Sequence, residues 1–229
     1  WTVGDSEILE LVDGTLTAKA QGTTWISVES PENPQWVTGF VPVTTVDLTT
    51  LSDWASETVT EYYLAQMLPI SLCSDFQDGI TRSELAVLVD ELAKNTKGYE
   101  SFTVDNPFAD MSHLDVSTQY AILRCYVAGL MIGTDVDTFS PDDLVTREQA
   151  AVVLMRALAN IQETHYDIQG EASFTDNDDI SDWAVETVTI AQEQGVMVGD
   201  TAGNFNPQTT MTREEMIVAC SSIYAQYNP

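Results

Sequence analysis

Arginine is scarce in this chain, five residues among 229, and three of the five share one context. Arg82, Arg147 and Arg213 each follow a threonine directly, in "ITRSEL", "VTREQA" and "MTREEM". A guanidinium is a planar fork that grips carboxylate or phosphate through two parallel hydrogen bonds. Three residues after each threonine stands Glu84, Gln149 or Glu215, so each segment carries the capping box of a helix start. The arginine then falls in the first helical turn, where the macrodipole makes a cation mildly unfavourable. Two chemistries fit this placement. One is a local salt bridge, worth about 0–1 kcal/mol at a surface. The other is anion recognition, in which free N–H groups at the helix start and the guanidinium hold one ligand together. Three identical placements favour anion recognition and make Arg82, Arg147 and Arg213 candidate binding residues.

The rest of the composition makes such a site a local exception. The chain has 36 Asp and Glu against 8 Lys and Arg, a net charge of -28, and this field repels polyanions, so nucleic acid is not an expected partner. With 44% hydrophobic and 19% charged residues the chain has the balance of a globular protein. A low lysine content and an acidic surface suit a protein that stays soluble at a crowded, salty cell exterior. Cys73, Cys125 and Cys220 are odd in number and widely spaced, which fits neither a disulfide framework nor a zinc site. They read as small buried hydrophobes. No apolar run reaches the length of a membrane span, and "WTVGDSE" at the start has no signal-peptide character. The chain is therefore cytosolic, or a mature or excised portion of an exported protein, and its motifs favour the second.

Catalysis is not expected. The only histidines, His113 and His165, fall in inter-helix loops without a matching cysteine or serine motif. Close carboxylates such as "DNDD" (176–179) carry no information among 36 acids. Calcium at "TDVDTFSPDD" (134–143) is disfavoured because the glycine and distal glutamate of a calcium loop are missing; these read as solvated acidic loops. No cofactor or metal is implied.

The elements that position the arginines form an internal repeat. Phe108, Gly129, Gly133, Phe139, Pro141, Thr146 and Arg147 recur at an unbroken offset of 66 as Phe174, Gly195, Gly199, Phe205, Pro207, Thr212 and Arg213. A third copy precedes them, since "SDWASETVT" (52–60) matches "SDWAVETVT" (181–189) at eight of nine positions. The repeats span roughly 46–95, 108–161 and 174–227. Each reads as helix, loop, helix. The first helix follows a Ser-Asp cap and, in the second and third repeats, stops near Gly129 or Gly195; the second helix opens at the capping threonine. Two short helices cannot bury themselves, so the three repeats are expected to pack together. Residues 1–45 differ. They hold β-prone runs, a hairpin signal at Asp13-Gly14, a break at Gln21-Gly22, and a further run, "WVTGFVPVTTV", after the loop "SPENP".

Units of the form Phe-x-Asp, Trp-Ala, Gly-x-x-x-Gly, Thr-Phe-x-Pro and Thr-Arg-x-Glu resemble S-layer homology repeats, over about 180 residues here. The resemblance implies a mainly α fold: three helix-loop-helix repeats in a pseudo-threefold, three-pronged bundle occupying 46–229. It implies anchoring of an exported protein to a bacterial cell wall or surface layer. The ligand would be an anionic secondary cell-wall polysaccharide, often pyruvylated, or a peptidoglycan-linked glycan, held in grooves between prongs by Arg82, Arg147 and Arg213. Trp54 and Trp183 hold the Trp-Ala position and would stack on a sugar face, with core packing as their other reading. Asp200 would accept a sugar hydroxyl or simply shape its loop. Departures from the pattern are Ser117 in place of tryptophan, Thr134 in place of Asp200, and "MLPISLCSDFQD" in place of the first repeat's glycine loop. They imply fewer than three working grooves, with the third repeat favoured to keep one. The order Val12-Asp13-Gly14, Thr17 to Thr23 and an Ile26 strand resembles the second half of a bacterial Ig-like domain of group 2, which places its other half before Trp1 or makes it absent. The rival reading is a structural or protein-binding module that packs against sister surface-layer subunits.

Overall fold

The hairpin read at Asp13-Gly14 is present. In the computed structural model, β2 (Leu9–Val12) and β3 (Thr15–Ala18) pair antiparallel, with Val12 opposite Thr15. Asp13 and Gly14 both have positive φ, 48° and 79°, which matches the turn to the right-handed twist of the strands. The structure describes residues 1–30, 33–98, 104–167, 170 and 172–227, with backbone alone for 28–30 and 33–40. They form two compact parts, Trp1–Thr50 and Leu51–Pro229.

In the first part β1 (Thr2–Val3), β4 (Gly22–Ser30) and β5 (Asn33–Thr45) make an antiparallel sheet in the order β1-β4-β5. Its core is small: Leu9 and Ile26 are buried, and so are Thr24, Ser27 and Thr45. The buried hydroxyls are satisfied locally, Thr24 accepting the Asp5 N–H at 2.8 Å and Ser27 meeting Thr2 at 2.7 Å. Pro31 and Glu32 of the "SPENP" loop lie outside the described residues.

The second part is helical among its described residues: α1 (Asp53–Leu64), α2 (Arg82–Thr96), α3 (Val116–Val127), α4 (Arg147–Gln162), α5 (Val185–Glu193) and α6 (Arg213–Tyr227). All three capping boxes form. Thr81, Thr146 and Thr212 each accept the N–H three residues on, and Glu84, Gln149 and Glu215 accept the threonine N–H in return. Gly129 and Gly195 stop α3 and α5 with φ of 71° and 66°, as the sequence predicts. In the first repeat Gln66 takes the corresponding place after α1, with φ 60° and no glycine to make it cheap.

The repeats interlock. Helices α2, α4 and α6 contact one another, while α3 packs on α2, α5 on α4, and α1 on α6. Each repeat's first helix therefore lies against the second helix of another repeat. A cycle of backbone hydrogen bonds ties the three together: Ile80 N–H to Met211 O, Met211 N–H to Val145 O, and Val145 N–H to Ile80 O, at 2.9–3.1 Å. Leu85, Leu88, Leu92, Leu154, Leu158, Ile217 and Ile223 fill the core with essentially no exposure. All three cysteines are buried thiols, as their spacing suggested.

Two buried carboxylates fix the seams. Glu148 accepts the Ser181 N–H and hydroxyl at 3.0 and 2.8 Å, and Glu214 accepts those of Ser52 at 3.1 and 2.6 Å. The Ser-Asp segments thus act differently from the caps the sequence suggested. Ser52 makes no side-chain cap and gives its hydroxyl to Glu214, while α5 begins only at Val185, beyond Ser181.

Candidate functional site: the arginine grooves

The helix starts that carry the arginines do not offer free N–H groups, contrary to the sequence expectation. The N–H groups of Arg82, Arg147 and Arg213 donate to Asp143 O, Thr209 O and Asp78 O at 2.9–3.0 Å. The next ones, of Ser83, Glu148 and Glu214, donate to Pro141 O, Pro207 O and Phe76 O. Each acceptor belongs to another repeat's loop. Buried donors must be satisfied, and packing the repeats together satisfies them with protein in place of ligand.

The guanidiniums are what remain. Arg82 donates through Nε to Phe139 O at 2.9 Å and through Nη2 to Ile132 O at 2.8 Å, and lies 4.7 Å from the centroid of the Phe139 ring. Arg147 does the equivalent one repeat on, donating to Val198 O at 2.7 Å over the Phe205 ring at 5.2 Å. Burial lowers the pKa of both arginines, and carboxylates push back: Asp143 and Asp110 at Arg82, Glu215 and Asp200 at Arg147. Neither shift removes the charge near neutrality. Arg213 is held differently. Its Nη2 donates to Glu84 at 2.5 Å, its Nη1 reaches Ser74 O and Asp75 O, and a carboxylate oxygen of Asp75 lies 3.6 Å away.

The loops that receive the arginines are built by the repeat's own landmarks. Asp110 of Phe-x-Asp accepts the Phe139 and Ser140 N–H groups, and Asp176 accepts those of Phe205 and Asn206. Burial alone would raise the Asp110 carboxyl, but these N–H bonds outweigh it and hold the pKa below its ordinary value. Gly133 must be glycine, because a Cβ there would sit 2.7 Å from Phe108 and from two backbone oxygens.

Two cavities result, and each draws on all three repeats. The larger, about 670 Å³, is lined by Trp54 from the first repeat, Arg147 from the second, and the 195–201 loop, Asn206 and Glu215 from the third. The smaller, about 190 Å³, joins Arg82 from the first, Ile132, Gln149 and Arg156 from the second, and Trp183 from the third. Trp54 and Trp183 are 58% and 57% exposed, so neither is packed in the core. Asp200 lines the larger cavity and also shapes its own loop, accepting from Ala202 N, Asn204 N and Asn206 Nδ2 at 2.8–3.0 Å. Those bonds, led by the Asn206 side chain, hold its pKa down to about 2.

By the same cycle Arg213 would share a groove with the first repeat's replaced loop and Ser117. Two of the three departures seen in the sequence thus fall in one groove, while Thr134 belongs to the loop that faces Arg82. Ser74 stands there at the position of Phe139, so Arg213 meets a carbonyl where Arg82 has a ring face as well. Arg213 is the least available of the three candidates, and the sequence favoured it most. Sequence reading missed Arg156, Glu148 and Glu214. Aligning the repeats at the offset that aligns the arginines would have exposed them: Arg156 stands where the others have Glu91 and Ser222, and Glu148 and Glu214 where the first has Ser83.

The S-layer homology domain profile matches residues 107–151 and 173–217, and these two repeats belong to that family. The first repeat completes their hydrogen-bonded cycle and shares the capping box. Among similar proteins, an endoglucanase of Bacillus sp. (strain KSM-635) is 25% identical over 174 residues, 75% of this chain and 18% of that protein. An exoglucanase, XynX, of Acetivibrio thermocellus is 29% identical over 59% of this chain and 12% of its own length. A surface-layer 125 kDa protein of Lysinibacillus sphaericus is 29% identical over 44% and 8%. The chain thus spans less than a fifth of these relatives. The S-layer homology domain is a cell-surface module. No described helix is long and apolar enough to cross a membrane.

Proposed function

We propose that this chain is a non-catalytic wall-anchoring module of an exported bacterial surface protein. It holds an anionic secondary cell-wall polysaccharide through arginines in the grooves between its repeats. The reading includes the pseudo-threefold, three-pronged arrangement of 46–229, supported by the cyclic bonding of Ile80, Val145 and Met211. One observation carries it: an arginine and an exposed tryptophan from different repeats line a common cavity, twice. That pairing suits a sugar ring bearing an anion, with stacking on one face and a bidentate donor at the charge. Trp54 with Arg147 and Trp183 with Arg82 are the working pairs; Asp200 positions the loop of the first. Nothing in this scheme needs a nucleophile, metal or cofactor.

Walls prepared from the source bacterium test it. The intact chain should be retained on them, stripping the secondary polymer should release it, and Trp54→Ala with Trp183→Ala should lose retention while keeping the fold by circular dichroism. Retention on stripped walls, or by the double tryptophan variant, would instead indicate a protein partner in the surface layer.

A further inference from the structure

Among the described α-helices, α3 alone has no carboxylate. Each of the others carries at least one Asp or Glu, in a chain that holds 36 of them. The only charged residue of α3, Arg124, is paired with Asp90 of α2, its Nε donating at 2.6 Å. The capping Asp115 stands just ahead of the helix and accepts the Ser117 and Thr118 N–H groups at 2.9 and 3.1 Å, so its charge is turned into the helix start.

The face that α3 turns to solvent is apolar. Val116, Tyr120 and Val127 are 67%, 55% and 49% exposed, and they stand at i, i+4 and i+11, within about 40° of one another around the helix. At the offset of 66 that aligns the arginines, their counterparts in the third repeat are Asp182, Glu186 and Glu193; in the first repeat they are Asp53, Glu57 and Leu64. All of these counterparts are exposed too. The three positions therefore face solvent in every repeat, and the fold does not require an apolar residue at them. Core packing accounts for Ala121, Ile122 and Cys125 on the buried face of α3 and leaves this stripe unexplained.

Two properties select the occupant. A cationic partner would be drawn to acidic surface, which a chain of net charge -28 offers elsewhere; a second copy carries the same charge and can come close only where carboxylates are absent. The stripe is also self-complementary. With two copies of α3 antiparallel about a twofold axis between residues 121 and 122, Val116 of each copy meets Val127 of the other. The two Tyr120 rings then lie about 5 Å apart along the helices, within reach of offset stacking.

We propose that α3 is a self-association surface, on which a second copy of this chain docks through the same stripe. The three side chains expose on the order of 300 Å² in each copy, and with their rim the pair buries about 1,000 Å² in total, the low end of specific interfaces. Repulsion between two acidic chains opposes the contact, so the dimer is weak in dilute solution, with a Kd on the order of 100 µM. It needs no glycan. Chains crowded on one surface pair more fully, and a paired chain presents two sets of grooves, which raises avidity without any new groove contact.

Sedimentation velocity of the full chain from about 10 to 500 µM, at low and at high salt, tests this. The wild type should pass from monomer to dimer and stop there, because an isologous contact closes at two copies. High salt should tighten the dimer several-fold by screening the like charges. Val116→Asp with Tyr120→Glu introduces the residues that both other repeats carry at these positions, so circular dichroism should show the fold unchanged. The double variant should weaken the dimer at least about tenfold, and Tyr120→Glu alone should account for part of that loss. A wild type that stays monomeric at the highest concentration in high salt overturns the proposal and assigns the stripe to a different protein. So does a dimer that salt weakens, one that both variants keep at full strength, or association that continues beyond two copies.

Discussion

Arg213 donates to Glu84 at 2.5 Å, so the arginine opening the third repeat's helix is answered by the capping glutamate of the first. Both side chains are largely covered, 16% and 24% exposed, and the pair spans a seam between the beginning and the end of the helical part. An ion pair so enclosed is costly to break from one side, because the survivor stays desolvated. Arg213→Ala should therefore lower stability by about 1–3 kcal/mol in urea unfolding. Wall retention of the folded fraction should hardly change. Loss of retention at an unchanged denaturation midpoint would show that ligand reaches Arg213 after all.

The seam carboxylates make a second prediction. Glu214 is 3% exposed and accepts both the N–H and the hydroxyl of Ser52, with Gln77 as a further donor. Glu214→Ala strands these donors and should cost about 1–3 kcal/mol. Glu148→Ala should do the same at Ser181. If either variant unfolds at the wild-type midpoint, these bonds contribute nothing net.

A third change should stabilise. Gln66 is exposed and sits at φ 60°, where side chains clash with the backbone. Gln66→Gly should raise the unfolding free energy by about 1 kcal/mol. A drop would mean that the lost unfolded-state entropy outweighs the relieved strain.

Asp200 gives a pH signature. Its folded pKa is about 2, below its ordinary value of 3.8, so its contribution is fully present above the unfolded value and is lost as pH falls through about 2. The 200–206 loop should keep its amide protection at pH 4. An NMR titration of the Asp200 carboxyl with a midpoint near 4 would contradict the bonding described.

The thiols supply a check on the core. Burial raises the pKa of Cys73 to about 11 and pushes Cys125 and Cys220 well above the ordinary thiol range. A thiol reagent at pH 8 should leave the native chain unmodified and label three cysteines in denaturant. Rapid labelling of any one would place that residue at a mobile edge.

The legible part of this structure is the part governed by local rules. The capping boxes, the stops at Gly129 and Gly195 and the turn at Asp13-Gly14 each depend on a few adjacent residues, and each formed where the sequence placed it. The burial of Cys73, Cys125 and Cys220 followed from their number and spacing. What could not be read was which repeat supplies which wall. Ser117 and the replaced loop look like separate losses along the chain, and only the cyclic packing gathers them beside Arg213. Likewise the N–H groups at each helix start look free until a neighbouring loop takes them.

The hydrogen-bonded triangle of Ile80, Val145 and Met211 has a consequence for how such a domain is inherited and cut. An open solenoid can shed an end repeat and keep the remainder, because only one interface is lost and its outer repeats are specialised caps. Here each repeat has two neighbours, so deleting any one severs two junctions and leaves unpaired edges on both survivors. Conversely, gene order carries no structural privilege: a chain spliced as second, third, first would preserve all of the junctions. Modules of this kind should be gained or lost whole, three at a time.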